Sequence, residues 1–202
     1  MSSISNFSVG TIGSGQVAQT IAGAAIEAGH QVIFSNSRGP DSLKDLVSQF
    51  GDQASAGTTA EAAQADIVIL AVRWAQVPDA VKAVPDWDGR IVIDATNQSL
   101  TGADTVDLGD QTGSERNAAL MPGARVVKAF NTVSATIVAK NLHRSDGPLV
   151  IFIAGDDADA KATVSTFIES LGLAPVDLGG AGDGRLMQWH GPLNSLHLVK
   201  IA

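Results

Sequence analysis

Residues 9–38, VGTIGSGQVAQTIAGAAIEAGHQVIFSNSR, constrain the fold more than any other part of the chain. An apolar run ends at Ile12 and meets Gly13-Ser14-Gly15-Gln16-Val17-Ala18, a G-x-G-x-x-A turn. An Ala-rich helical stretch follows, then Gly29-His30 and a second apolar run. Glycines in this pattern carry meaning only between a strand and a helix, which is the context here. Gly13 permits the tight turn, Gly15 lets a backbone approach a pyrophosphate, and Ala18 lets the helix lie close to the strand. The free N–H groups and positive dipole end of such a helix suit an anion.

The alternation continues to the end of the chain. Strands are expected at 7–12, 31–35, 67–72, 90–95, 125–130 and 149–154, with helices at 16–28, 41–50 and from about Asp156 to Leu171. Ile67 to Val72 is continuously apolar, the pattern of a strand covered on both faces. Strands alternating with helices predict an α/β fold of the Rossmann type, with a doubly wound, mainly parallel sheet and a small C-terminal extension. The expected division is a dinucleotide-binding domain at 1–130 and a part at 131–202 that extends the sheet and covers an acceptor site. Asp156 and Asp159 read as helix-capping acids, and the Gly- and Asp-rich segment 100–115 as a loop.

The end of the second strand bears on which dinucleotide fits. A site for NAD places an acid there for the ribose 2′-hydroxyl. Ser35, Asn36, Ser37 and Arg38 stand there instead, with no acid before Asp41. A carboxylate would repel a 2′-phosphate, whereas an arginine and hydroxyls bind it through charge-assisted hydrogen bonds. NADP(H) is therefore the expected cofactor. Ligands in such sheets lie beyond the carboxyl ends of the strands, which adds Ala71-Val72-Arg73-Trp74, Asp94-Ala95-Thr96-Asn97 and Lys128 to Thr132. The expected cofactor contacts are Ile12, Gly13, Ser14, Gly15, Gln16, Val17, Ser35, Asn36, Ser37, Arg38, Ala71, Val72, Arg73, Ala95 and Asn97. Asp94 reads as a buried hydrogen-bonding residue rather than a general base.

Composition closes several alternatives. The 202 residues include no Cys, which removes disulfides, thiolate catalysis and cysteine-ligated zinc. They include no Tyr, which removes the short-chain dehydrogenase mechanism with its essential phenol. A net charge of −8 with scattered basic residues disfavours nucleic acid. No signal peptide is apparent in the first nine residues and no apolar run approaches the ~20 residues of a membrane span, so a cytoplasmic protein is expected.

These segments together resemble the NADPH-dependent reductases of the deazaflavin coenzyme F420. The likeness runs through Gly13 to Ala18, Asn36-Ser37-Arg38, Trp74, Asp94 to Asn97, the stretch GDDADAKATVSTFIESLGLAPVDLG and Gly184-Arg185-Leu186. It implies hydride exchange between the nicotinamide C4 and the deazaflavin C5, with Ser37 and Arg38 holding the 2′-phosphate and Gly13 to Val17 the pyrophosphate. It also implies a homodimer. Arg73 stands where that family often has proline, Gln98 where proline is common, and Asn131 where deazaflavin reductases tend to have histidine. The run VVKAFNTVSA is similar instead to the cytosolic domain of the six-transmembrane ferric reductases, which pass hydride from NADPH to a flavin.

The second cofactor is therefore expected to be coenzyme F420, FMN or FAD, acting as a small-molecule hydride acceptor. Trp74, Asn97, Phe130, Asn131 and Thr132 are the candidates for its pocket, with Arg185 to Leu198 as a lid. No catalytic dyad is needed, since hydride transfer between stacked rings depends on holding donor and acceptor about 3–3.5 Å apart and excluding water. Two other readings fit the same motifs: a reductase of a small carbonyl or imine, and a non-catalytic NADP(H) sensor. His30 and His143 read as surface residues. His190 and His197 read as packing residues with room for contact with the acceptor, and no metal site is expected.

Overall fold

The computed structural model describes residues 6–101, 104 and 106–201; the reading of the extreme N-terminus, part of the 100–115 loop and Ala202 lie outside the described residues. The first half runs β1 (Ser8–Ile12), α1 (Gln16–Glu27), β2 (Gln31–Ser35), α2 (Lys44–Ser48), β3 (Ala54–Ala56), α3 (Thr59–Ala62), β4 (Ile67–Leu70) and α4 (Val77–Val81). The second half runs β5 (Ile91–Asp94), α5 (Gly113–Ala119), β6 (Arg125–Lys128), α6 (Ala135–Lys140), β7 (Val150–Ile153), α7 (Ala158–Ser170) and β8 (Ala174–Asp177). Six strands form one parallel sheet in the order β3-β2-β1-β4-β5-β6. That order reverses at β1, the crevice where Rossmann folds take a dinucleotide.

Packing explains the central strands. All four residues of β4 are buried, as a parallel strand with helices over both faces requires. Gly10 is needed for contact: a Cβ there would lie 1.8 Å from the Ala62 carbonyl oxygen, so α3 sits directly on β1. One apolar cluster joins Val9, Ile21 and Phe34 to Val138, Ile151, Ile153, Val164 and Phe167, and so continues across residue 130. β7 and β8 pair in parallel as a separate two-stranded sheet. It meets β6 through a single antiparallel bridge, Lys128 with Ala154, and the C-terminal segment through another, Leu149 with Val199.

Several local expectations are corrected. The stretch 41–50 is a 3-10 turn at Pro40–Leu43 followed by the short α2. The 100–115 segment ends in a helix, because Thr112 and Glu115 form a reciprocal capping box that starts α5. The cap of α7 is Asp157, whose carboxylate accepts the Ala160 N–H at 2.7 Å. Asp159 lies in the first turn, and Asp156 instead accepts the Ala181 N–H at 2.8 Å. His30 is no surface residue: it is fully buried, 5.5 Å from the Phe167 ring and 5.6 Å from Phe7, bridging the sheet to α7. β3 and β8 escaped the sequence reading because a three-residue Ala-Ser-Ala strand and a Pro-containing edge strand carry no apolar run.

Candidate functional site

At the β1–α1 turn the backbone adopts φ +106° at Gly13, and a Cβ there would lie 2.4 Å from the Ala71 carbonyl oxygen. Both facts demand glycine. At Gly15 an added Cβ would meet nothing within 4 Å, so the chain leaves open space beside that residue. Gly15 is also the N-cap of α1, no side chain caps the helix, and its first turn holds no acid. The N-terminal N–H groups therefore face outward with a positive dipole end. These features fit the pyrophosphate of a dinucleotide.

The turn forms one wall of a cleft of about 900 Å³. Ile12, Gly13, Ser14, Gly15, Asn36, Ser37, Ala71, Val72 and Arg73 all line it. Thr58 and Thr59, together with Gly39, Ala60, Gln76, Asp79, Ala80 and Ala83, complete it, and none of these was foreseen. A signal for the first pair existed: Thr58 and Glu61 have the spacing of a capping box, and the structure shows one. The residues in and around α4 carry no local signal, since only the crossover brings them to the crevice.

Beside the cleft, the β2 end is organised by Asn36. Its Nδ2 donates to Ser14 Oγ at 3.3 Å and Ser42 Oγ at 3.1 Å, while its Oδ1 accepts the Arg38 N–H at 2.8 Å. Asn36 thus ties the glycine turn to the following loop and sets the direction of Ser37 and Arg38, both exposed. The Arg38 guanidinium has no partner among the described residues. Ser35 faces the other way: fully buried, it donates to the Thr11 carbonyl at 2.6 Å. Gln16 donates to Thr136 Oγ1 on α6, Val17 packs on the core, and Ala95 is buried; none of them lines the cleft.

A second group gathers at the ends of β5 and β6. Asp94 is fully buried and accepts from Thr96 N–H (2.9 Å), Thr96 Oγ1 (2.7 Å), Ser114 Oγ (2.5 Å) and Asn117 Nδ2 (3.2 Å). Lys128 Nζ lies 3.8 Å from the Asp94 carboxylate and donates to the Thr96 carbonyl at 2.9 Å. Burial pushes the Lys128 ammonium below its ordinary range, and Asp94 pulls it back up. With so many donors around it, Asp94 is a hydrogen-bonding anchor for the 96–98 loop.

That anchored loop meets the next strand end. Asn97 Nδ2 donates to the Asn131 carbonyl at 3.0 Å, and Asn131 Nδ2 donates to Asn97 Oδ1 at 3.0 Å and to the Met187 carbonyl at 2.7 Å. The residue before Asn131 is strained: buried Phe130 has φ +61°, unusual for an aromatic side chain. The Thr132 carbonyl accepts the Ser195 N–H at 2.7 Å. Asn97, Asn131 and Thr132 are therefore clasped to the C-terminal segment. Trp74 is half-buried, and its Nε1 is shielded without a partner among the described residues. It approaches Gln98 across Gly113, where an added Cβ would lie 3.5 Å from Trp74 Nε1 and 3.2 Å from Gln98 Oε1. Gln98 in turn lines a hollow of about 360 Å³ with Leu108, Arg185 and Gln188. His143, His190 and His197 are exposed. Among the described residues no acidic or histidine cluster could hold a metal, and no helix is long and apolar enough to cross a membrane.

Comparison with known proteins bears on what this crevice is for. Residues 8–98 match the family described as NADP oxidoreductase, coenzyme F420-dependent. The match runs from β1 to just past β5, and that part of the chain is similar to the family. A hypothetical protein from Sinorhizobium meliloti has a crystal structure with TM-score 0.90 and 38% identity, covering 97% of this chain and 96% of that one. An Arthrobacter sp. FB24 structure described as an F420-dependent NADP reductase aligns with TM-score 0.77 and 25% identity, over 89% of this chain and 88% of that one. Rat metalloreductase STEAP3 is 30% identical over 178 residues, which is 88% of this chain and 35% of the relative. Human metalloreductase STEAP2 is 26% identical over 202 residues, covering 38% of its length. The chain thus spans little more than a third of these curated relatives.

Proposed function

We propose that this chain transfers hydride between NADP(H) and a deazaflavin (coenzyme F420) or flavin acceptor. The observation that carries the cofactor half is the acid-free end of β2, where Ser37 lines the glycine-turn cleft and the next residue, exposed Arg38, has no side-chain partner among the described residues. When bound, NADP(H) supplies a hydride at the nicotinamide ring. The chain binds and orients. Gly13 to Gly15 and the α1 N-terminus face the pyrophosphate, and Ser37 and Arg38 the 2′-phosphate.

On the acceptor side, Asp94 and Lys128 hold the 96–98 loop, and the Asn97–Asn131–Met187 clasp holds that loop against the C-terminal segment. A segment tied down in this way excludes water from the ring-stacking zone, which hydride transfer requires. The Gln98, Arg185 and Gln188 hollow beside it gives a planar acceptor a polar wall. The test is anaerobic oxidation of NADPH by the purified protein with F420, FMN, FAD and riboflavin supplied separately. Rapid oxidation with one of them is expected. NADPH binding without turnover on any of them would favour the small-carbonyl or imine reductase and the NADP(H) sensor.

A further inference from the structure

Four of the seven arginines are held by side-chain hydrogen bonds. Arg90 bonds Gln64, Arg125 the Asp157 carboxylate, Arg144 Asp146 and Asn141, and Arg185 the carbonyls of Gly182 and Asp110. The Arg73 guanidinium makes no hydrogen bond or ion pair among the described residues, although its residue forms part of the cleft wall. Its backbone, by contrast, is closely fixed. Ala71 N–H donates to the Ile12 carbonyl at 2.9 Å, and the Gly13 Cβ position would meet both Ala71 O (2.4 Å) and Val72 Cγ1 (3.0 Å). The chain leading to Arg73 is therefore packed directly against the glycine turn. Beyond it, the Arg73 carbonyl accepts the Gln76 N–H at 2.8 Å, which pins the residue at the start of a 3-10 turn.

Charge points the same way. The carboxylate in the cleft wall is Asp79, which is paired with Lys82 at 3.3 Å, so Arg73 has no counter-ion there. A protein of net charge −8 admits a polyanionic ligand only where local cations overcome the overall field. A planar guanidinium also matches phosphate oxygens in a way an ammonium does not. We propose that Arg73 holds the pyrophosphate shared by all nicotinamide dinucleotides, together with the glycine turn it packs beside, while Arg38 serves only the 2′-phosphate. This inference rests on the dinucleotide reading above. It divides phosphate recognition between two arginines at different strand ends.

Equilibrium titration of the full chain with NADPH and with NADH tests the division. Arg73→Ala is expected to weaken both dinucleotides by a similar factor of about tenfold or more, since both carry the pyrophosphate. Arg73→Lys, which keeps the charge without the fork, is expected to fall between. Arg38→Ala serves as the contrast and is expected to weaken NADPH alone. The exposed position of Arg73 lets both variants fold, which far-UV circular dichroism checks. Unchanged binding in Arg73→Ala, or a loss confined to NADPH, overturns the assignment. So does intact dinucleotide binding accompanied by a raised KM for the hydride acceptor. Failure of the wild-type chain to bind either dinucleotide would instead overturn the functional reading itself.

Discussion

Single side chains separate the two dinucleotides and set the response to acid. Arg38 is exposed, has no side-chain partner among the described residues and is oriented by the Asn36 turn, so its removal takes little from the fold. Arg38→Ala is expected to weaken NADPH by roughly tenfold or more and leave NADH nearly unchanged, using ~1.5–3 kcal/mol for a hydrogen bond to a charged group. Fluorescence titration with both nucleotides checks this, and equal losses would sink it. His30 governs the second effect. Its Nδ1 accepts the Phe7 N–H at 3.1 Å and its Nε2 faces Ser170 Oγ at 2.8 Å, while Ser170 Oγ donates to the Phe167 carbonyl at 2.6 Å. The ring must therefore be neutral with its proton on Nε2, and burial holds its pKa below the ordinary 6.5. A depressed value means that neutral His30 contributes its full stability above the unfolded pKa. That contribution is lost as pH falls through the lower folded value. Denaturant unfolding of the wild type is expected to show stability falling below about pH 6.5, and His30→Phe to flatten that part of the profile. Identical slopes would remove His30 as the source.

Among the elements, the ends of β5 and β6 depend on one another. Lys128 and Asp94 are both buried, and a buried charge left alone is costly. Lys128→Met is expected to destabilise the fold by about 3–5 kcal/mol, with part of that recovered in the Asp94→Asn, Lys128→Met double variant. Simple additivity in urea unfolding would show that the two residues do not act as a pair. One strand end further, Asn131 joins the 96–98 loop to the C-terminal segment and follows the strained Phe130. Asn131→Ala is expected to slow hydride transfer in single-turnover measurements by about tenfold, from the loss of positioning. NADPH affinity should change much less, because the glycine-turn cleft lies at the other strand ends. An unchanged rate would take Asn131 out of the acceptor site. The α7 cap belongs to the same scale. Arg125 and the Ala160 N–H hold the Asp157 carboxyl down to about 2, so the cap stays charged until strongly acidic pH.

For the molecule as a whole, binding and folding are linked. The cleft draws its walls from the end of β1, the loops that follow β1, β2 and β4, and from α3 and α4, so it exists only in the assembled sheet. A ligand that binds only the native state at a hundred times its Kd adds ~2.7 kcal/mol of stability. Thermal unfolding is accordingly expected to shift upward by several degrees with saturating NADPH, and less with the same concentration of NADH. Equal shifts would argue against 2′-phosphate selection. Much of this architecture was legible beforehand because parallel strands buried on both faces announce themselves as apolar runs, and the glycine turn announces the crevice. The chain by itself determined β1, β2, β4, β5, β6 and β7, the turn at Gly13 to Ala18 and the absence of an acid between Ser35 and Asp41. Each of these is a local requirement, set by sterics, burial or charge within a few residues. Only the tertiary structure decided that Ser35 turns inward, that His30 is buried against Phe167, and that Thr58, Gln76 and Ala83 face the nucleotide cleft. It also decided that Asn97, Asn131 and Met187 meet across 34 and 56 residues of chain. Contacts of that range arise when crossovers bring separate strand ends to one edge of the sheet, which no local pattern encodes.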